Sequence, residues 1–195
     1  MTSIYKSLAF FNELEKLKTV TRQNQTLDGR QENAAEHSWQ VALMAPVFRQ
    51  YFPEDLNLEK VMLMLLLHEI GEIGAGDSWA YDETAKATSF ERELASVKES
   101  LALLPKEEAQ TYLDLWMEFE SQANTAEARY ARCLDALAPV MNHLFIAKEE
   151  ENPANLTKSQ VLAKKAFIQD ESPELWKLVV DLVDKSVEKG LYLDC

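Results

Sequence analysis

The chain has three histidines, two cysteines, five glycines and six prolines in 195 residues. So little glycine and proline excludes a collagen-like or low-complexity chain, and 47% apolar residues can build a sizeable core. Two cysteines far apart, Cys133 and Cys195, cannot form a disulfide framework and fit a reducing compartment. Positive charge is also scarce: 20 basic residues against 33 acidic ones leave a net charge of −13. Such a surface is a poor partner for polymeric DNA or RNA, whose phosphates need clustered cations. A small phosphorylated ligand is not excluded, since a few local arginines and a metal ion can hold it. No basic segment followed by an apolar core opens the chain, and no apolar run is long enough to span a bilayer. The expected setting is therefore cytoplasmic, without a membrane.

Strand-period alternation, internal repeats and linkers are absent too, and what remains reads as helix throughout. Leu8, Phe10, Phe11, Leu14 and Leu17 recur at helical spacing between Ile4 and Leu17. A polar loop is expected from Thr19 to Gln31. Asn33 and Glu36 form a capping-box signal before a helix that carries His37 and Pro46. Asn57 caps a central helix running to about Gly71. One helix is expected from about Thr84 to Leu104, and another after Pro105 to about Glu120. Asn124-Thr125-Ala126-Glu127 is a second cap signal that opens a helix to about Ala147, and Thr157 and Ser172 open two more. The expectation is a single all-α domain over residues 1–195, with seven or eight helices.

The stretch Leu63–Asp77 organises the chain. Five apolar residues, Leu63 to Leu67, run into His68, Glu69 and Glu72, then into a turn holding three of the five glycines. Burying charged groups at the end of such a helix is costly unless they pair or bind a cation. Glu72, four residues after His68, shares its helix face. A satisfied core hydrogen-bond network would explain His68 without a metal. The near match to the His-Glu-x-x-His of zinc proteases fails at its fifth position, which is Glu72. Two further helices offer His37 and Asp135. Asp135 sits among Ala131, Leu134, Ala136, Leu137 and Ala138, where an acid is unexpected unless Arg129 or Arg132 pairs with it. Glu36 is read as a cap and His143 as structural. Two imidazoles and two carboxylates suit one divalent transition metal, Mn, Co, Ni, Zn or Fe. A di-iron carboxylate bundle needs Glu three residues before His, and none of the three histidines has it.

Four blocks in this order resemble the HD-domain metal-dependent phosphohydrolases, in particular the branch of 5′-deoxynucleotidases. They are Arg30–Trp39, His68–Asp77, Leu115–Glu120 and Glu127–Asp135. The resemblance runs from about residue 10 to 142 and leaves the C-terminal helices, 157–190, uncovered. It implies an HD-type helical bundle with one metal held by His37, His68, Glu69 and Asp135. It also implies Glu72 as the residue that activates water, Asp77 as a supporting acid, and Arg22 on the substrate phosphate. Arg30, which opens the first block, is a second substrate-binding candidate. The implied reaction is hydrolysis of a deoxynucleoside 5′-monophosphate to nucleoside and phosphate, and dimers are common in the family. Two positions depart from the pattern. Glu69 stands where the family has Asp, and Gln23 stands where the nucleotidases have an aromatic after the arginine. The rival readings are hydrolysis of another phosphorylated metabolite, and a metal- or nucleotide-binding module whose catalysis has lapsed.

Overall fold

A computed structural model describes residues 3–195 and turns the cap signals into helix ends. Among these residues are eight helices of eight residues or more: α1 (Ser3–Leu14), α2 (Ala34–Phe48), α3 (Leu58–Leu67), α4 (Ser89–Leu101), α5 (Lys106–Glu120), α6 (Ala126–Ile146), α7 (Lys158–Lys165) and α8 (Pro173–Glu188). At α2 the Asn33 side chain accepts the Glu36 N–H at 3.0 Å, and the Glu36 carboxylate accepts the Asn33 N–H at 3.1 Å. Thr157 and Gln160 repeat that box at α7, and Asn57, Thr125 and Ser172 cap α3, α6 and α8. Each such cap satisfies a helix-end donor and contributes about 1 kcal/mol.

The long α6 is the spine, packed against α2, α3, α5 and α8. Val41, Met64, Leu65, Leu134 and Leu137 are fully buried in the main core between these helices. A second apolar cluster, with Phe10, Leu67, Ile70, Val97 and Trp116, lies against the end of α3. Burying side chains of this size contributes roughly 1.5–3 kcal/mol each. α3 thus feeds both clusters, which is why its sequence is apolar on nearly every face. Both α2 and α6 run unbroken through their prolines, Pro46 and Pro139.

Four sequence expectations need correction. Thr19–Gln31 is not a plain loop: β1 (Thr21–Gln25) and β2 (Gln31–Asn33) pair as an antiparallel ribbon, the sole sheet among the described residues. Gly29, at φ +83°, sits in the turn between them. These strands are short and polar, so they carry no alternating apolar signal. The central helix ends as α at Leu67 and tightens to 3₁₀ over His68–Gly71 before a last turn, Glu72–Ala75. The helix expected over 84–104 is split. Asp82 caps a single turn, Glu83–Lys86, through Thr84 and Ala85, and α4 starts only at Ser89. On α1, Phe10 is buried but Leu8 and Phe11 are more than 60% exposed. Cys133 and Cys195 are free thiols, and among the described residues no helix is long and apolar enough to cross a membrane.

Candidate metal centre and active site

Gly71 and Gly74 are required because α4 lies directly on the turn. A Cβ on Gly71 would meet Glu93 Cβ at 2.9 Å, and one on Gly74 would meet Ser96 Oγ at 2.9 Å. Ser96 Oγ instead accepts the Gly74 N–H at 2.9 Å. The Trp116 indole N–H donates to the His68 carbonyl at 3.0 Å. Clamped from both sides, this turn aims His68, Glu69 and Glu72 at α2 and α6.

His37 comes from α2, His68 and Glu69 from the end of α3, and Asp135 from α6. One donor atom from each lies within 4.8 Å of the other three. His37 Nε2 is 2.8 Å from Asp135 Oδ1, and His68 Nε2 is 3.1 Å from Glu69 Oε1 and 3.5 Å from Asp135 Oδ1. His68 Nδ1 faces the Leu65 carbonyl at 2.7 Å. A carbonyl can only accept, so Nδ1 carries a proton and Nε2 is the nitrogen that faces the cluster, able to bind a metal once its own proton is displaced. His68 Nε2 and Glu69 Oε2 are buried without a hydrogen-bond partner. Such orphans fit a divalent cation, as does the two-nitrogen, two-oxygen donor set. The alternative partners for Asp135 are engaged elsewhere. Arg129 pairs with Glu54 and Glu171, and Arg132 donates to the carbonyls of Phe119 and Ala123.

The electrostatics favour positive charge at this point. Burial disfavours the His68 imidazolium, but the Glu69 and Asp135 carboxylates outweigh it and hold its pKa up at about 10. Burial likewise opposes the charge on Glu69 and Asp135. Arg22 and His68 nevertheless keep Glu69 well below the carboxylate range, and His37 and His68 do so for Asp135. Buried carboxylates held ionised in this way will also attract a metal ion.

A cavity of about 400 Å³ opens over the cluster, with Arg22, Glu72 and Asp77 in its lining. Arg22, on β1, pairs with Glu69 through Nη1, lies 3.5 Å from Glu32 Oε2 through Nε, and 4.0 Å from Asp77. Burial, and next the neighbouring Glu69 and Asp77 carboxylates, push the Glu72 carboxyl up to about 12, so it holds a proton at neutral pH. Arg30 is not brought here. It is half exposed and forks onto the Glu36 carboxylate at 2.9 and 2.5 Å, completing the cap of α2. His143 stacks on Tyr192 with ring centroids 5.3 Å apart and offers no atom to the cluster.

Glu32 was missed by the sequence reading. It is 4% exposed, its Oε2 lies 3.9 Å from His37 Nδ1, and its Oε1 accepts from Asn142 at 3.2 Å. From there its carboxylate faces both His37 Nδ1 and Arg22 Nε, at hydrogen-bond geometry to neither. The signal lay inside the first matching block, but an acid beside a cap residue reads as surface. Outer carboxylates of this kind typically govern metal affinity by 10–100-fold. Glu32→Gln should weaken metal binding by about that factor while the thermal melt shows an intact fold; equal affinity in calorimetry would remove Glu32 from this role. Trp79, Tyr81, Lys86, Glu120 and Lys165 also line the cavity and carried no sequence signal.

Residues 14–176 match the HD domain family. The chain belongs to that family. A human 5′-deoxynucleotidase is 27% identical over 177 residues, covering 90% of this chain and 83% of the relative. A 5′-deoxynucleotidase of Erwinia tasmaniensis is 30% identical over 155 residues, covering 71% and 78%. A solved structure, a predicted metal-dependent phosphohydrolase from Magnetospirillum magnetotacticum, superposes with a TM-score of 0.89 at 36% identity, covering 97% of this chain and 95% of that one. These findings place the chain among the HD-domain phosphohydrolases. The family match continues past Asn142 through α7 into α8, beyond the blocks that carried the resemblance.

Proposed function

We propose that this HD-domain protein hydrolyses a small phosphomonoester, with a deoxynucleoside 5′-monophosphate first among candidates. The observation that carries the reading is the four-ligand cluster with Arg22, Glu72 and Asp77 around it at one cavity. His37, His68, Glu69 and Asp135 would hold one divalent metal, which when bound neutralises phosphoryl charge and activates water. Arg22 orients the phosphate. Protonated Glu72 delivers its proton to the O5′ of the leaving alkoxide as the P–O5′ bond breaks and the water oxygen bonds to phosphorus; the water's two protons stay on the released phosphate, and one of them then returns to the Glu72 carboxylate. Asp77 supports the protonated state of Glu72 by placing a like charge near it. The names of the relatives support the nucleotide reading, and Gln23 in the cavity lining is the position where the sugar preference would differ from theirs. We place the protein in the cytoplasm as one functional unit over 1–195. A homodimer would cover apolar residues left exposed on α1 and α2, such as Phe11, Trp39 and Val47.

The test is a phosphate-release screen over deoxy- and ribonucleoside 5′-monophosphates, 3′-monophosphates and sugar phosphates, with each divalent metal in turn. Turnover led by the 5′-deoxynucleotides supports the reading. Turnover confined to sugar phosphates would transfer the chemistry to another metabolite, and none at all would leave a binding module.

Glu69 provides a separate check. Its extra methylene moves the carboxylate by roughly 1.5 Å, a C–C bond length, relative to Asp. That reach lets one oxygen face His68 and Arg22 together. Glu69→Asp should keep or raise metal affinity and activity, and Glu69→Ala should lower both. Loss of activity in well-folded Glu69→Asp would mean that the surroundings are built around Glu.

A further inference from the structure

The cavity is rich in acids, and its cations are unequally employed. Arg22 is committed to Glu69, Glu32 and Asp77. Lys86 stands exposed at the cavity. Lys165 differs from both. It is partly buried at the last residue of α7 and lines the cavity from the C-terminal part of the chain. Its place on the helix explains why it faces inward. It follows Val161 by four residues and precedes Ile168 by three, and those two are 1% and 0% exposed. A lysine on the buried face of an amphipathic helix is unexpected unless something pairs with it. Its neighbour Lys164 turns outward and pairs with Glu83. Among the described residues no carboxylate comes within 4 Å of the Lys165 ammonium. Asp135 is the acid whose charge supports it, while burial and the charges of Lys86, Arg22 and Lys164 all oppose it.

A partly desolvated cation without a partner, facing a metal-binding cluster across open space, is a place for an anion. We propose that Lys165 is a phosphate-binding residue of this site, its ammonium donating to a phosphoryl oxygen of the bound substrate. This rests on the phosphohydrolase reading and deepens it. Arg22, hydrogen-bonded to Glu69 and faced by two further acids, orients the phosphoryl group through its remaining donors, and Lys165 supplies a positive charge that no carboxylate pairs with. Burial pushes its ammonium pKa down from the usual lysine value, and a dianionic phosphate would restore the charged form. The C-terminal helices then form part of the active site rather than an appendage to it.

The experiment is a calorimetric titration of inorganic phosphate into the Mn²⁺-loaded protein, for wild type, Lys165→Met, Lys165→Arg and Lys164→Ala. Lys165→Met keeps the apolar stem that packs beside Val161, so it should melt as wild type and keep its metal. It should bind phosphate roughly ten- to a hundredfold more weakly, the range for losing one charge-assisted hydrogen bond. Lys165→Arg should recover most of the affinity, and Lys164→Ala should match wild type. The same factor should appear in KM for a hydrolysed monophosphate. Unchanged phosphate affinity in Lys165→Met overturns the proposal. So does weakened nucleotide binding with unchanged phosphate binding, which would put the lysine on another part of the substrate. A wild type that binds no phosphate overturns it as well. A wild type that binds phosphate but hydrolyses none of the nucleotides overturns the nucleotidase reading alone, and the Lys165 comparison still decides this one.

Discussion

Glu72→Gln is expected to lower kcat for phosphate release by roughly 10²–10⁴-fold, the usual contribution of a positioned acid or base. The substitution keeps the size and planarity of the side chain. It removes the acidic proton that burial and the charges of Glu69 and Asp77 hold on the carboxyl at neutral pH. KM should change little, because Glu72 is not assigned to ground-state binding of the phosphate, and metal content should stay at one per chain. Steady-state kinetics with elemental analysis on the same preparation check both parts. If Glu72→Gln loses its metal, Glu72 is a ligand and the proton donor lies elsewhere, with Asp77 next in line.

Removing a ligand should be more severe still. His68→Ala and Asp135→Ala are expected to abolish stoichiometric metal binding and, with it, measurable turnover. Each also deletes a partner from a buried set in which every member compensates another's charge. The pH dependence follows from the same set. His68 has its pKa raised from 6.5 to about 10 in the folded protein. Its stabilising contribution to the metal-free fold is therefore fully present below about 6.5 and lost as pH rises through about 10. The Glu69 and Asp135 carboxyls are lowered, so their contribution is present above the ordinary carboxylate range and lost as pH falls below it. Metal binding must displace the proton on His68. Affinity should rise with pH up to about 10, with about one proton released per metal bound. Calorimetry of metal binding in buffers of different ionisation enthalpy reads that proton directly. A pH-independent affinity over this window would contradict the arrangement at His68.

The helix ends and the candidate cluster of His37, His68, Glu69 and Asp135 were legible because each has a local rule. Asn33 with Glu36, Asn57, Thr125 and Ser172 are caps by residue type and spacing, and all of them cap. Acids and imidazoles in apolar surroundings, as at His68 and Asp135, stand out because burial penalises them. What escaped notice has tertiary causes. The ribbon of β1 and β2 is polar and leans on α6, with Asn24 donating to the Pro139 carbonyl, so no apolar period marks it. The close approach of α4 to Gly71 and Gly74 comes from Glu93 and Ser96, 22 residues further along the chain, in no obvious pattern. Arg30 drew attention by its position in a matching block, yet Glu36 six residues on captures its fork. Glu32 and Lys165 become functional candidates only once folding places them beside His37 and the cavity.

The central claim is that one metal, held by His37, His68, Glu69 and Asp135, makes this site a phosphohydrolase. The most direct measurement strips the protein with a chelator and titrates Mn²⁺ back while following phosphate release from a deoxynucleoside 5′-monophosphate. Release should be absent after stripping, rise with added metal and saturate at one equivalent per chain. Undiminished release in the presence of chelator, or saturation only at two equivalents, would contradict it.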